Sequence, residues 1–176
     1  LPILTKLNAP IHVICGNKGW TAGQLAKQFK IPHCASSFIE ILQDENVNTV
    51  MITTRHNSHA SLVLAGLNAG KNVYVEKPLA INLKELNEIA QAVVTNKGSL
   101  TVGFNRRFAP MIQQLKNELS NSEAPIQIVA TMNAGSLPME HWTKSVDQGG
   151  RIIGEACHYF DLTSFLCNSP IVEVYM

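Results

Sequence analysis

The residues best suited to chemistry fall in a few places along the chain. Glu76-Lys77-Pro78 sets an ammonium beside a carboxylate and a stiff ring, directly after the apolar run Asn72 to Val75. Ligands of open α/β sheets bind at the carboxyl ends of the strands, and a lysine held there can give or take a proton. By position alone, a surface ion pair of little energetic weight is an equal reading. His158 and Asp161 stand three residues apart, with Glu155 three residues to the other side. One helix face then carries a histidine flanked by carboxylates, which suits acid/base work. Taken alone, that pattern more often marks a hydrogen-bonded histidine at a helix–sheet contact.

His56 and His59 have a spacing that suits a metal, but no third ligand accompanies them and no metal site is expected. With Thr53, Thr54 and Asn57 they sit where a strand meets a helix. Backbone N–H groups and polar side chains meet a phosphate or ribose at such places. Asn105, Arg106 and Arg107 follow another apolar run, Leu100 to Phe104; the two arginines read as anion ligands or as solvated charges. Trp142 and the pair Gly149-Gly150 lie in a long polar stretch, Asn133 to Arg151, of the kind that forms functional loops. Trp142 there lines a pocket or anchors the loop.

Positioning these groups is the work of alternating elements. Leu1 to Leu7 carries a helical apolar stripe; Ile11 to Cys15 is β-rich; Ala22 to Phe29 reads as a helix. Ser37 with Glu40 is a capping-box signature. Thr49 to Thr53 is a continuous apolar run, as in a strand buried on both faces. Ser58 caps a helix ended by Gly70, Asn72 to Val75 is a strand, and Asn82 with Glu85 caps a helix reaching about Asn96. Leu100 to Phe104 closes the alternation. Such short connections predict a parallel, doubly wound α/β sheet. Past Asn105 the pattern changes: a helix from Pro110 to Leu119, a strand from Ile126 to Met132, a helix from Ile152 to Leu166 and a last strand from Ile171 to Tyr175. A domain boundary is expected there, giving units 1–105 and 106–176.

Composition narrows the classes. Hydrophobic residues make up 45% of 176, enough for a core. The 14 Lys and Arg against 13 Asp and Glu leave a net charge of +1, too little to hold a nucleic-acid backbone or an anionic membrane. No apolar run approaches the roughly 18 residues of a membrane span. The four cysteines form no CxxC pair, and three lie in apolar stretches, so buried thiols in a reducing, cytoplasmic setting are expected.

Together, the segments NTVMITTRHNSH, NAGKNVYVEKPLA, TVGFNRRF and GGRIIGEACHYFDL resemble the Gfo/Idh/MocA family of oxidoreductases. The resemblance implies an N-terminal Rossmann domain and the start of an α/β domain with an open, largely antiparallel sheet. It implies NAD(P)-dependent hydride transfer at a carbinol carbon of a sugar or cyclitol. The family's EKP lysine corresponds to Lys77 and its catalytic histidine to His158. Many members carry an aspartate four residues before that histidine; here the position is Gly154, so Glu155 is the substitute. Glu76, Lys77, Pro78, Thr53, Thr54, Asn57, His59, Asn105 and Arg106 are expected to meet the cofactor. Asn17 and Lys18 replace the acid that would bind a ribose 2′-hydroxyl, which leans the cofactor to NADP.

The family begins with a strand and a G-x-G-x-x-G turn, and no such motif occurs in these residues. The Rossmann sheet is therefore expected to lack its first strand, and the chain to be part of a longer one or to pair with a second copy. Two other readings share the scaffold: NAD-dependent glycoside cleavage, and a non-catalytic binding module whose dinucleotide site is lost.

Overall fold

A computed structural model of the chain describes residues 1–16, 19–120, 124–133, 135–138 and 140–175. The elements are α1 (Pro2–Lys6), β1 (Val13–Cys15), α2 (Gly19–Phe29), β2 (His33–Ala35), α3 (Phe38–Gln43), β3 (Thr49–Ile52), α4 (His59–Asn68), β4 (Asn72–Val75), α5 (Leu83–Thr95), β5 (Leu100–Val102), α6 (Pro110–Leu119) and α7 (Cys157–Cys167). Every strand pairing among the described residues is parallel. β1 pairs with β2, and β3, β4 and β5 form a second sheet in that order, with Met51 beside Tyr74 and Tyr74 beside Thr101. No described strand stands between β1 and β3. This is a Rossmann-like fold, as the alternation predicts.

The core is built on one face of the larger sheet. Val50, Ile52, Val73 and Val75 point into it and meet Val63 and Leu67 of α4 and Ile89 and Ala92 of α5. The opposite face is open: Met51 is 49% exposed. The expectation that Thr49 to Thr53 is buried on both faces is thus corrected, because the helices packing on its core all lie to one side. Capping follows the sequence at two of three places. Ser37 accepts from the Glu40 N–H, and Asn82 from the Glu85 N–H. Ser58 does not cap α4 with its side chain. A 3-10 turn, His56–Ser58, precedes that helix, and the Ser58 hydroxyl donates to the Arg55 carbonyl instead.

The second half departs further. Ile126 to Met132 and Ile171 to Tyr175 form no strand, and no antiparallel pairing occurs among the described residues. A strand needs a hydrogen-bonded neighbour, and Val129 and Val172, 83% and 91% exposed, have none. The thiols are corrected as well: Cys34 and Cys167 are exposed, Cys15 and Cys157 half-buried, and all four are free. No described helix is long and apolar enough to cross a membrane.

Candidate active site

β4 carries its ladder one residue past its end, since the Glu76 N–H donates to the Ile52 carbonyl at 2.9 Å. This fixes Glu76-Lys77-Pro78 at the carboxyl edge of the sheet; the Lys77-Pro78 peptide is cis. The Tyr74 hydroxyl donates to Glu76 Oε1 at 3.3 Å. Gly103 makes room for that pair, for a Cβ there would stand 2.6 Å from the Tyr74 oxygen. Burial and the Glu76 carboxylate raise the Tyr74 phenol above its usual range, so it remains a donor.

Lys77 crosses to the far end of the chain. Its Nζ donates to the Gly154 carbonyl at 2.6 Å and meets Glu155 Oε1 at 3.3 Å. Both partners belong to a π-helical turn, Ile152–Ala156, that opens directly into α7. Such turns widen the helix locally and recur at functional sites. Side-chain exposure is 16% for Lys77 and 36% for Glu155, so the ammonium is shielded while its partner still meets water.

His158 follows on the first turn of α7 and is buried, edge-on to Phe104. Burial pushes its pKa down, the Lys77 and Arg106 charges push the same way, and Glu155 and Glu76 oppose them. The imidazole is therefore neutral near neutral pH. Its Nδ1 is sealed from solvent without a hydrogen-bond partner, a condition shared among the described residues only by Gln148 Oε1. Sealed unpaired polar atoms are costly to a fold.

Asp161 does not serve His158. It takes a bidentate pair of bonds from Arg107, whose guanidinium also lies 5.2 Å from the Phe165 ring. Arg106 stacks over Tyr159 at 4.7 Å. Neither arginine is a merely solvated charge: both brace α7, and with it His158.

His59, expected at the ligand, is fully buried with Nδ1 2.7 Å from the Pro78 carbonyl and Nε2 3.0 Å from that of Thr54. Its role in the fold is to tie the loop after β3 to the loop after β4. Thr53, Thr54, Asn57 and Asn105 are exposed at the carboxyl edge. The Thr54 hydroxyl is bonded to that of Ser58, and Asn57 donates to Asp147. Asn17 and Lys18 lie outside the described residues.

The polar stretch after Asn133 folds back onto this edge. Asp147 takes Asn57, the Gln148 carbonyl lies 3.0 Å from His56 Nδ1, and Trp142 meets the His56 ring edge-on at 4.9 Å, with Arg55 over its face. Trp142 thus anchors the loop. Gly149 and Gly150 both adopt left-handed backbone, φ +79° and +65°, which favours glycine. No group of metal ligands forms among the described residues. A cleft of about 510 Å³ between the ends of α6 and α7, lined by Lys116, Leu166 and Cys167, holds none of these groups.

One contact was not readable from the sequence. A Cβ at position 154 would stand 2.9 Å from His56 Cε1, so the side chain that the family resemblance places there has no room.

The inositol 2-dehydrogenase of Salmonella typhimurium is 34% identical over 146 residues, 80% of this chain and 42% of that protein. The myo-inositol 2-dehydrogenase of Thermotoga maritima is 28% identical over 152 residues, 85% of this chain and 43% of that one. A levoglucosan dehydrogenase solved with NADH and levoglucosan shares the fold, with a TM-score of 0.76 at 24% identity over 88% of this chain and 44% of that structure. The chain spans less than half the length of these relatives. Residues 4–104 match the model of the oxidoreductase family with an NAD-binding Rossmann fold, and the chain belongs to that family, the Gfo/Idh/MocA oxidoreductases.

Proposed function

We propose that the protein carrying this chain is an NAD(P)-dependent oxidoreductase acting on a hydroxyl of a sugar or cyclitol. The observation that carries this reading is the convergence of Lys77, Glu155 and the neutral, buried His158 at the carboxyl edge of β4. Lys77 binds and orients the reacting hydroxyl oxygen, exchanging part of its contact with Gly154 and Glu155 for the ligand. His158 receives the hydroxyl proton; its depressed pKa keeps it unprotonated and ready at neutral pH. Glu155 holds the ammonium in place and balances its charge. A nicotinamide ring, when bound, supplies the hydride acceptor.

The residues present fit such a group at its reactive end. Thr53 and Asn105 offer exposed polar edges, and Arg106 and Lys77 offer positive charge. The lean to NADP rests on Lys18 in the sequence. In this reading residues 1–105 form the dinucleotide-binding unit and 106–176 begin the substrate domain. The setting is cytoplasmic, and the chain is part of a longer one or of a homo-oligomer.

The test is fluorescence titration with NADH and NADPH, followed by coenzyme reduction at 340 nm over a panel of inositols and pyranoses. The reading expects micromolar binding of at least one coenzyme and polyol-dependent reduction. No coenzyme binding at all would end the proposal and favour the binding module whose dinucleotide site is lost; binding without reduction by any polyol would overturn the polyol assignment.

A further inference from the structure

His56 is a buried imidazole to which the acid/base scheme assigns no task. It is 6% exposed and lies in the 3-10 turn after β3, packed between Trp142 and the bare backbone of Gly154. A Cβ at 154 would stand 2.9 Å from its Cε1 and 3.4 Å from its Nδ1, and the first distance is shorter than real Cβ contacts allow. The ring at 56 and the glycine at 154 are therefore halves of one packing unit. That glycine's carbonyl is the group that holds Lys77 Nζ. His56 thus packs on the residue whose carbonyl holds the lysine, and the charges of Lys77 and Glu155 both act on it.

The hydrogen bond at Nδ1 settles which ring nitrogen is free. Nδ1 lies 3.0 Å from the Gln148 carbonyl, which can only accept, so Nδ1 carries the proton. Burial, with Lys77 adding to it, pushes the His56 pKa below its ordinary value, and the ring is neutral at neutral pH. Its lone pair then sits on Nε2. No described group bonds Nε2, and it is not among the atoms sealed from solvent. A fixed acceptor is left without a partner on a ring that feels the Lys77 charge.

We propose that His56 Nε2 is a hydroxyl-accepting group of this site, set in place by Gly154 and Gln148, and that it takes a hydrogen bond from a second hydroxyl of the polyol bound at Lys77. The inference rests on the polyol reading above. The chemistry recognised is a hydroxyl donor. A ribose hydroxyl of the coenzyme carries the same chemistry, and the arms of the test separate the two sources.

Two measurements decide it. The first is long-range ¹H–¹⁵N correlation on histidine-labelled protein at pH 7. The neutral Nδ1–H tautomer is expected at His56; an Nε2–H tautomer or an imidazolium overturns the proposal. This measurement needs no turnover, so it stands apart from the fate of the polyol reading. The second compares His56→Ala with the unmutated protein. Loss of one hydrogen bond of about 1.4 kcal/mol is tenfold, so the polyol KM rises about tenfold while the Kd for NADH or NADPH stays within twofold. A tenfold loss in coenzyme Kd with unchanged KM assigns the hydroxyl to the ribose. If neither constant moves, Nε2 takes no ligand hydroxyl. Loss of stability is tracked by a cycle: Gly154→Ala lowers Tm, and adding His56→Ala to it restores part of the loss. A Gly154→Ala variant as stable as the parent overturns the packing unit on which the placement depends.

Discussion

Replacing Arg107 by methionine should loosen the helix that carries His158, and the size of the effect follows from the pair it breaks. The Asp161 side chain is 8% exposed and accepts two bonds from Arg107, whose own side chain is 34% exposed. Removing one partner of a fully buried pair costs about 3–5 kcal/mol, because the other charge is stranded. Here water reaches Arg107 and shares the load, which lowers the figure to about 2–3 kcal/mol. The lost contact with Phe165 adds about 0.5 kcal/mol. A chain of this size shifts roughly 2–4 °C in Tm per kcal/mol, so a fall of about 5–14 °C is expected. Urea unfolding followed by circular dichroism gives the free energy directly. The double variant Arg107→Met, Asp161→Leu should recover about half of the loss, since an apolar pair strands no charge. A change below about 0.5 kcal/mol for Arg107→Met would place the pair among ordinary surface bridges and refute the reasoning. So would a double variant whose loss is the sum of the two single losses.

Other outcomes follow from the same geometry. His158→Ala should lower turnover by roughly 10²–10⁴-fold and remove the limb of the pH–rate profile near or below neutrality; survival of that limb would move the base to another residue. Stability should fall with acid in a defined window. His56 and His158 both have folded pKa values below their ordinary 6.5, so the unfolded chain binds more protons as pH drops through 6.5. Each contributes a slope of up to about 1.4 kcal/mol per pH unit between 6.5 and its folded value. Urea midpoints should be lower at pH 5.5 than at pH 7.5, well above the range where the carboxylates titrate; equal midpoints would contradict the burial of both rings. Gly98→Ala would press a Cβ to 2.1 Å from the Lys71 carbonyl oxygen. A loss of about 1–3 kcal/mol should appear in thermal melts, and an unchanged Tm would mean that the turn before β5 yields freely.

The first hundred residues are legible because local signals there agree with one another. Ser37 and Asn82 cap the helices they precede, and Val50, Ile52, Val73 and Val75 alternate onto one face. What TVMIT does not reveal is how many sides are covered, since an apolar run looks the same over one buried face or two. Ile126 to Met132 fails for a related reason: β-rich residues state a preference, while a strand requires a neighbour that the sequence does not supply locally. At the site, Lys77, Glu155 and His158 could be picked out from motif and spacing, and the fold brings the first two into contact. Spacing misleads at Asp161, where a helical i,i+3 relation to His158 is outcompeted by a long-range guanidinium. The contact of His56 with Gly154 has no local signature, because it joins positions 98 residues apart in sequence through a clash that only the folded backbone reveals.

The central claim is that Lys77 handles the reacting oxygen while other groups hold the coenzyme. Lys77→Met, a nearly isosteric change that deletes the ammonium, tests it most directly when coenzyme Kd and polyol turnover are measured on the same preparation. The account predicts a Kd within a few-fold of the unmutated protein and turnover lower by about 10³-fold or more. Turnover within a few-fold of the unmutated protein, with the coenzyme bound as before, would contradict it.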